Sequence, residues 1–318
     1  MTTHTIPTGS GLSAADDRFH FDTMSDRWWE TETCWFSFHD VERALGGWVY
    51  VMVRPNIGTV AGGAWIWDSS AHLPWEVLYS SNYTSLRLPR DQDLDDIELP
   101  TGVGIKMRRP LTEYDVTYAD EDRLSLDLRF AAVMEPQVLS SAESSYGHSA
   151  HFDQAGRVVG TMRLHGEEIP IDCYAMRDRS WGPRPEHRPR RTAYVTAVAD
   201  DRNSFLAVTS RINDRDVLRH GFLCRDGDVL PAVSGERRVV RDPQRGWVTR
   251  VEVDLADEGG RTLTAVGTPV SRIILNRISM IDCNSLLRWT LDDGVAAVGE
   301  DQDLWPVHEW SSARRGSR

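Results

Sequence analysis

The densest run of chemically able side chains is Arg177-Asp178-Arg179-Ser180-Trp181-Gly182-Pro183-Arg184, directly behind a strand-like stretch from Ile169 to Met176. Apolar positions bury such a strand, and at the Gly-Pro turn an acid, guanidinium groups and an indole are delivered together, where binding and catalytic groups commonly sit. The types suit acid–base chemistry on a bound molecule. Asp178 beside Trp181 could be a carboxylic acid kept protonated by a dry pocket, since desolvation raises carboxyl pKa values. Tyr174 lies four residues earlier and shares Asp178's face if the strand runs straight. A close guanidinium would instead hold Asp178 ionised and make it a base, while Arg177 and Arg184 are candidates to bind substrate. The acid would then come from Glu300, Asp301 or Asp303. The plain alternative is an Arg-Asp lattice capping the end of a barrel, because such pairs are often purely structural.

Other candidates are more scattered. Asp68 follows Trp65-Ile66-Trp67, in which the two indoles share one strand face and could line a lumen, although Asp68 could equally open an Asp-Ser-Ser turn. His72-Leu73-Pro74-Trp75-Glu76 places another acid next to an indole, in a loop. The acidic run 300–303 has a solvated turn as its ordinary explanation. His148, His151 and Asp153 have metal-ligand chemistry but lie beside a Ser/Gly-flanked segment without a companion motif, so no metal site is expected there. His187, in an exposed-looking loop, could shuttle protons. The chain lacks paired-Cys, His-Glu-x-x-His and calcium-loop spacings, a phosphate loop, a strand-linked dinucleotide fingerprint and a Gly-x-Ser-x-Gly elbow. Cofactor-independent chemistry is the expectation.

Composition narrows the partners. The 36 basic residues stand against 48 acidic ones, for a net charge of -12 and a pI near 5.3, which argues against nucleic acid. Lys106 is the sole lysine and lies in a basic surface-like run, a poor setting for Schiff-base chemistry. The chain has 12 tryptophans, a large flat apolar surface suited to a deep core or to a pocket for an apolar ligand. Trp35, Trp48, Trp65, Trp67 and Trp75 are the candidate wall. Cys34, Cys173, Cys224 and Cys283 are far apart and read as core residues of a reducing compartment. With no apolar leader and no bilayer-length apolar stretch, a cytoplasmic protein is expected. The oligomeric state is left open.

The periodicity is that of strands. Tyr114 to Tyr118 and Leu124 to Phe130 alternate around Asp120-Glu121-Asp122, which predicts a hairpin with one buried face. Trp48 to Val53 is apolar on both faces and predicts a strand covered on both sides. Further hairpins are expected at Phe222 to Leu230, Trp247 to Val266 and Ser285 to Val298. Only His39 to Leu45 and parts of Leu88 to Leu99 could hold short helices. The expected organisation is a disordered arm (1–18), a β-barrel (19–135), a linker or lid (136–149), a second β-barrel (150–310) and a loose tail (311–318).

Five segments carry a family resemblance: Glu32-Thr33-Cys34-Trp35-Phe36-Ser37-Phe38, Arg54-Pro55-Asn56, Trp65-Ile66-Trp67, the Arg-Asp-Arg-Ser-Trp-Gly run and Gly299-Glu300-Asp301-Gln302-Asp303. From about Phe21 to Trp305 the chain resembles bacterial two-domain lipocalin-like proteins, most specifically at Arg177 to Arg184. These are similar in plan to the carotenoid hydratase hydroxyneurosporene synthase and, more remotely, to two-barrel cyclases of polyene chains. The resemblance implies an all-β fold of two lipocalin-like antiparallel barrels packed side by side, with an apolar ligand at or between them. It also implies a chemistry to test on the residues. Hydration of an unactivated alkene needs an acid to protonate carbon, surroundings that tolerate a carbocation, and an activated water. An acid among indoles meets the first two needs. The leading expectation is therefore a hydratase or dehydratase acting on an isoprenoid or steroid-like molecule. A cofactor-free isomerase or cyclase and a non-catalytic carrier are the alternatives, since a carrier needs only apolar walls and a polar mouth.

Overall fold

The computed structural model describes residues 11–139, 150–184, 190–277, 279–292 and 294–316. Alternating side chains build strands almost throughout. The first eleven are β1 (Glu30–Asp40), β2 (Leu45–Arg54), β3 (Thr59–Trp67), β4 (Tyr79–Arg87), β5 (Asp96–Glu98), β6 (Val103–Arg109), β7 (Glu113–Asp120), β8 (Leu124–Ala132), β9 (Gln137–Leu139), β10 (Ala150–Leu164) and β11 (Glu167–Pro183). They form one curled sheet in the order β4-β3-β2-β1-β11-β10-β8-β7-β6-β5, with β9 beside β10. The next eight are β12 (Thr192–Val198), β13 (Ser204–Ile212), β14 (Arg215–Arg225), β15 (Asp228–Arg241), β16 (Val248–Asp257), β17 (Thr262–Arg277), β18 (Met280–Leu291) and β19 (Ala296–Pro306). They close into a barrel in chain order, β19 pairing with β12. The fold is all-β.

The expected hairpins form. β7 and β8 pair from Glu113 with Ala131 to Asp120 with Leu124, and their apolar residues are buried in alternation. β2 buries Trp48, Val49, Val51 and Val53, as its two-sided apolar pattern predicts. Curvature of the first sheet draws on Gly62 and Gly63, which have φ of 107° and 148°; a Cβ on either would sit 2.1 Å from the carbonyl oxygen of Tyr50 or Ser81. Only glycine allows those approaches. The barrel is filled by Val195, Phe205, Leu223, Val251, Val253, Leu287 and Trp289, among other apolar side chains.

Three boundaries and one element differ from expectation. The chain divides into two compact units, Met1–His39 with Gly47–Trp65 and Tyr79–Arg184, and Asp40–Gly46 with Ile66–Leu78 and Pro185–Arg318. The main division thus falls after Arg184 rather than within 136–149, because β10 and β11 complete the first sheet through long pairings with β8 and β1. The arm expected over 1–18 is anchored at its end: Asp17 is 1% exposed, bonded to Tyr114 and Arg177. The tail expected to be loose begins in a helix, α1 (Val307–Gly316), in which Trp310 packs edge-on against Trp305 at 5.7 Å. The segment 88–99 holds turns and β5 rather than a helix, while Val41–Arg43 forms a single 3₁₀ turn capped by Asp40. No helix among the described residues is long and apolar enough to cross a membrane.

Candidate active site

β11 runs between β1 and β10, and the register sorts the Arg-Asp-Arg-Ser-Trp run onto two faces. Asp178 lies opposite Trp35 on β1 and opposite Asp153 on β10; Ser180 lies opposite Thr33 and His151. Residues directly opposite in antiparallel strands project to the same side, so Trp35, Asp178 and Asp153 form one lateral row and Thr33, Ser180 and His151 the next. Arg177, Arg179 and Trp181 project to the other side. The motif is therefore two sites interleaved.

On the side of Arg177 the chemistry is structural. Its guanidinium donates to Gln154 Oε1 at 2.9 Å and Asp17 Oδ1 at 3.2 Å, with its centre 4.1 Å from the Tyr114 ring and 5.0 Å from that of Phe152. Arg179, fully buried, bonds Glu32 and donates to the carbonyls of Arg18, Thr33 and Ser180. Burial works against ionised Glu32, but the Arg179 charge and bonds from His20 and Arg179 outweigh it and lower its pKa. Trp181 stacks on His20 at 4.2 Å and lines a 300 Å³ cavity with Glu30, Glu32 and Pro55. Arg177 and Trp181 are thus separated from Asp178 by the sheet, and the two motif arginines nearest Asp178 in sequence each hold a different carboxylate.

The side of Asp178 gathers titratable groups. His151 Nε2 lies 3.0 Å from both oxygens of Asp153, and one donor atom from each of His151, Asp153 and Asp178 falls within 4.8 Å of the others. Asp153 is fully buried. Burial lowers the His151 pKa, but the Asp153 charge, its hydrogen bond and the Asp178 charge together raise it above the ordinary value. Ser180 Oγ bonds Thr33 Oγ1 at 2.6 Å and accepts from Arg184. Trp35 stands edge-on to Trp48 at 5.7 Å, and Trp48 to Trp65 at 6.4 Å, all three buried. Two carboxylates, an imidazole and three indoles thus share one face.

The first unit brings together Asp178, Arg184, Trp35, Trp48 and Trp65 of the expected residues. The chain matches the family model described as "Domain of unknown function (DUF7064)" over residues 13–306. The chain belongs to the DUF7064 family. No curated protein matches this DUF7064 chain. Its fold is similar to that of a candidate AttH from Nitrosomonas europaea, with a TM-score of 0.54 and 15% identity over 94% of this chain and 98% of that one. It is also similar to that of kievitone hydratase from Nectria haematococca, with a TM-score of 0.57 and 10% identity over 95% and 96% of the two chains.

The other expected residues of this DUF7064 protein have different placements. Tyr174 is on Asp178's side, two strand repeats or roughly 13 Å along β11 and beyond Met176. Asp68 accepts from the Ser70 amide at 2.8 Å and hydroxyl at 2.5 Å, and so opens a turn. Trp75 is 76% exposed and walls nothing. Trp67 packs so closely over Gly46 that a Cβ there would meet its ring at 2.4 Å. Asp301 projects into the barrel and takes Arg237 with two bonds of 2.8 and 2.6 Å, while Asp303 takes Arg191 and Arg241 at 2.9 and 2.7 Å. These ion pairs occupy one end of the barrel, beside a 470 Å³ cavity lined by Arg211, Asp216, Glu236 and Arg237. Glu300 projects the opposite way, its amide bonding Thr196 Oγ1 at 3.1 Å.

In the sequence His151 and Asp153 are obscured by the Ser-rich segment they border. Their spacing of two was the available signal: on β10 it puts both on one face. The same three donor atoms have the types to hold a cation. His148 and His187 lie outside the described residues.

Proposed function

We propose that this protein is a cofactor-independent, cytoplasmic hydro-lyase that adds water to a carbon–carbon double bond, or removes it from a tertiary alcohol, in an isoprenoid or steroid-like molecule. The observation that carries this reading is the lateral row Trp35, Asp178, Asp153, with His151 bonded to Asp153. In the hydration direction the Asp178 carboxyl gives its proton to one alkene carbon and the adjacent carbon becomes cationic. The indole of Trp35 stabilises that charge. Water attacks the cation, and its proton passes to the Asp178 carboxylate left by the first step, which restores the site; His151, bonded to Asp153, orients that water. The kievitone hydratase fold supports the reading at the level of architecture. Four free, buried cysteines fit a reducing compartment.

A panel of terpenoid and steroid alkenes and tertiary alcohols, incubated with the protein in heavy-oxygen water, tests it. An alkene is expected to gain one heavy oxygen in a new hydroxyl group, and a tertiary alcohol to lose one water and leave the alkene. Rearranged product without heavy oxygen would instead favour an isomerase or cyclase, and tight binding without any product would favour a carrier.

A further inference from the structure

Inside the closed barrel charged side chains meet in ion pairs, as Arg237 does with Asp301 and Asp216. The outside is different. On β18 the even-numbered residues project away from the barrel core, and Asn284 lies in a lateral row with Ile273 on β17, Gln302 on β19 and Tyr194 on β12. Asn284 is 0% exposed, yet neither its amide nitrogen nor its oxygen has a hydrogen-bond partner among the described residues. Asp282, two residues earlier on the same face, is equally buried; one oxygen takes Arg277 at 3.0 Å and the other has no partner among the described residues. Ser271, opposite Leu286 on this face, is buried, and its hydroxyl has no hydrogen-bond partner among the described residues. Unpaired buried polar atoms are costly and rare in native proteins, and several on one face call for a shared explanation.

We propose that Ser271, Asp282 and Asn284 form a binding site for a hydroxyl or carbonyl group borne by an otherwise apolar ligand. An amide both donates and accepts, which suits an uncharged oxygen that does the same, and Gln302 in the next position of the row offers the same pair of functions. Ile273, Leu275 and Leu286, buried around these groups, suit a hydrocarbon body rather than a sugar or an ion. Burial raises the Asp282 pKa to about 6 against the pull of Arg277, so its carboxyl donates a proton below that pH and accepts as a carboxylate above it. The site does not depend on the hydro-lyase reading, because a carrier of oxygenated apolar molecules would need it equally.

Calorimetric titration of the full chain with a matched pair of probes, 4-propylphenol and propylbenzene, tests the proposal. The phenol is expected to bind about ten-fold more tightly than the hydrocarbon, the order of one or two hydrogen bonds. Asn284→Leu, close in shape and apolar, is expected to fold at least as stably and to reduce the preference to about two-fold or less. Ser271→Ala and Gln302→Leu serve if that variant does not fold, with the same direction expected. Equal binding of the two probes, binding of neither, or an unchanged preference in a folded variant would overturn the site. The last outcome would mean that these groups hold only ordered water. Asp178→Asn is expected to keep the full preference, so failure of the catalytic reading and failure of this one are told apart.

Discussion

Asp178 owes its setting to its neighbours across the sheet rather than along the chain. Trp35 on one side and Asp153 on the other give it an apolar, cation-tolerant flank and a hydrogen-bonded one. If Trp35 stabilises a cation, Trp35→Leu keeps apolar bulk but removes the π face. Turnover is then expected to fall by roughly thirty-fold, about 2 kcal/mol, with KM little changed, and Trp35→Phe to lie between. Steady-state rates on one substrate check this, and an unchanged kcat would remove the indole from the chemistry. A second residue makes a pH prediction of its own. The folded Asp282 pKa is about 6 against an ordinary 3.8, so between these values the native state binds more protons than the unfolded chain and stability falls as pH rises. Asp282→Asn lacks that fall. Its stability relative to wild type is expected to rise between about pH 4 and pH 7, by on the order of 3 kcal/mol, in urea melts at the two pH values.

At the scale of elements, the period of two was legible and its consequence for the site was not. Apolar alternation in Tyr114 to Phe130 and the two-sided run at Trp48 predict the strands that form. The Arg177 to Trp181 run reads as one cluster along the chain, yet a strand deals successive residues to opposite faces. Which face meets which partner depends on register with β1 and β10, set by long-range pairing that no local pattern reveals. That is why Arg177 and Trp181, expected beside Asp178, sit behind it with Asp17 and His20. The pairing of β1 with β11 is fastened on that hidden face by Glu32 and Arg179. The Glu32 pKa is lowered, so its contribution is present above about pH 4.5, the ordinary glutamate value, and is lost as pH falls through the folded one. Glu32→Gln is expected to melt below wild type at neutral pH and to converge on it in acid. Parallel curves across that range would deny the ion pair this role.

At the scale of the whole molecule, the carboxylates at the two ends of the chain's chemistry have different occupations. Asp301 and Asp303 neutralise buried arginines in the second unit, whereas Asp153 and Asp178 face one another in the first beside a histidine whose pKa their charges raise. Proton transfer by these side chains needs no metal, so turnover is expected to survive exhaustive chelation. Loss of activity restored by one divalent ion would assign His151, Asp153 and Asp178 to a metal instead. The most direct test of the central claim joins rate and stability on one preparation of Asp178→Asn. The substitution keeps size and much of the hydrogen bonding while removing the acid proton and the charge. Single-turnover hydration in heavy-oxygen water is predicted to slow by roughly two to four orders of magnitude, with the thermal melt and ligand affinity close to wild type. A variant that melts early yet turns over at the wild-type rate would contradict the account and leave Asp178 a structural residue.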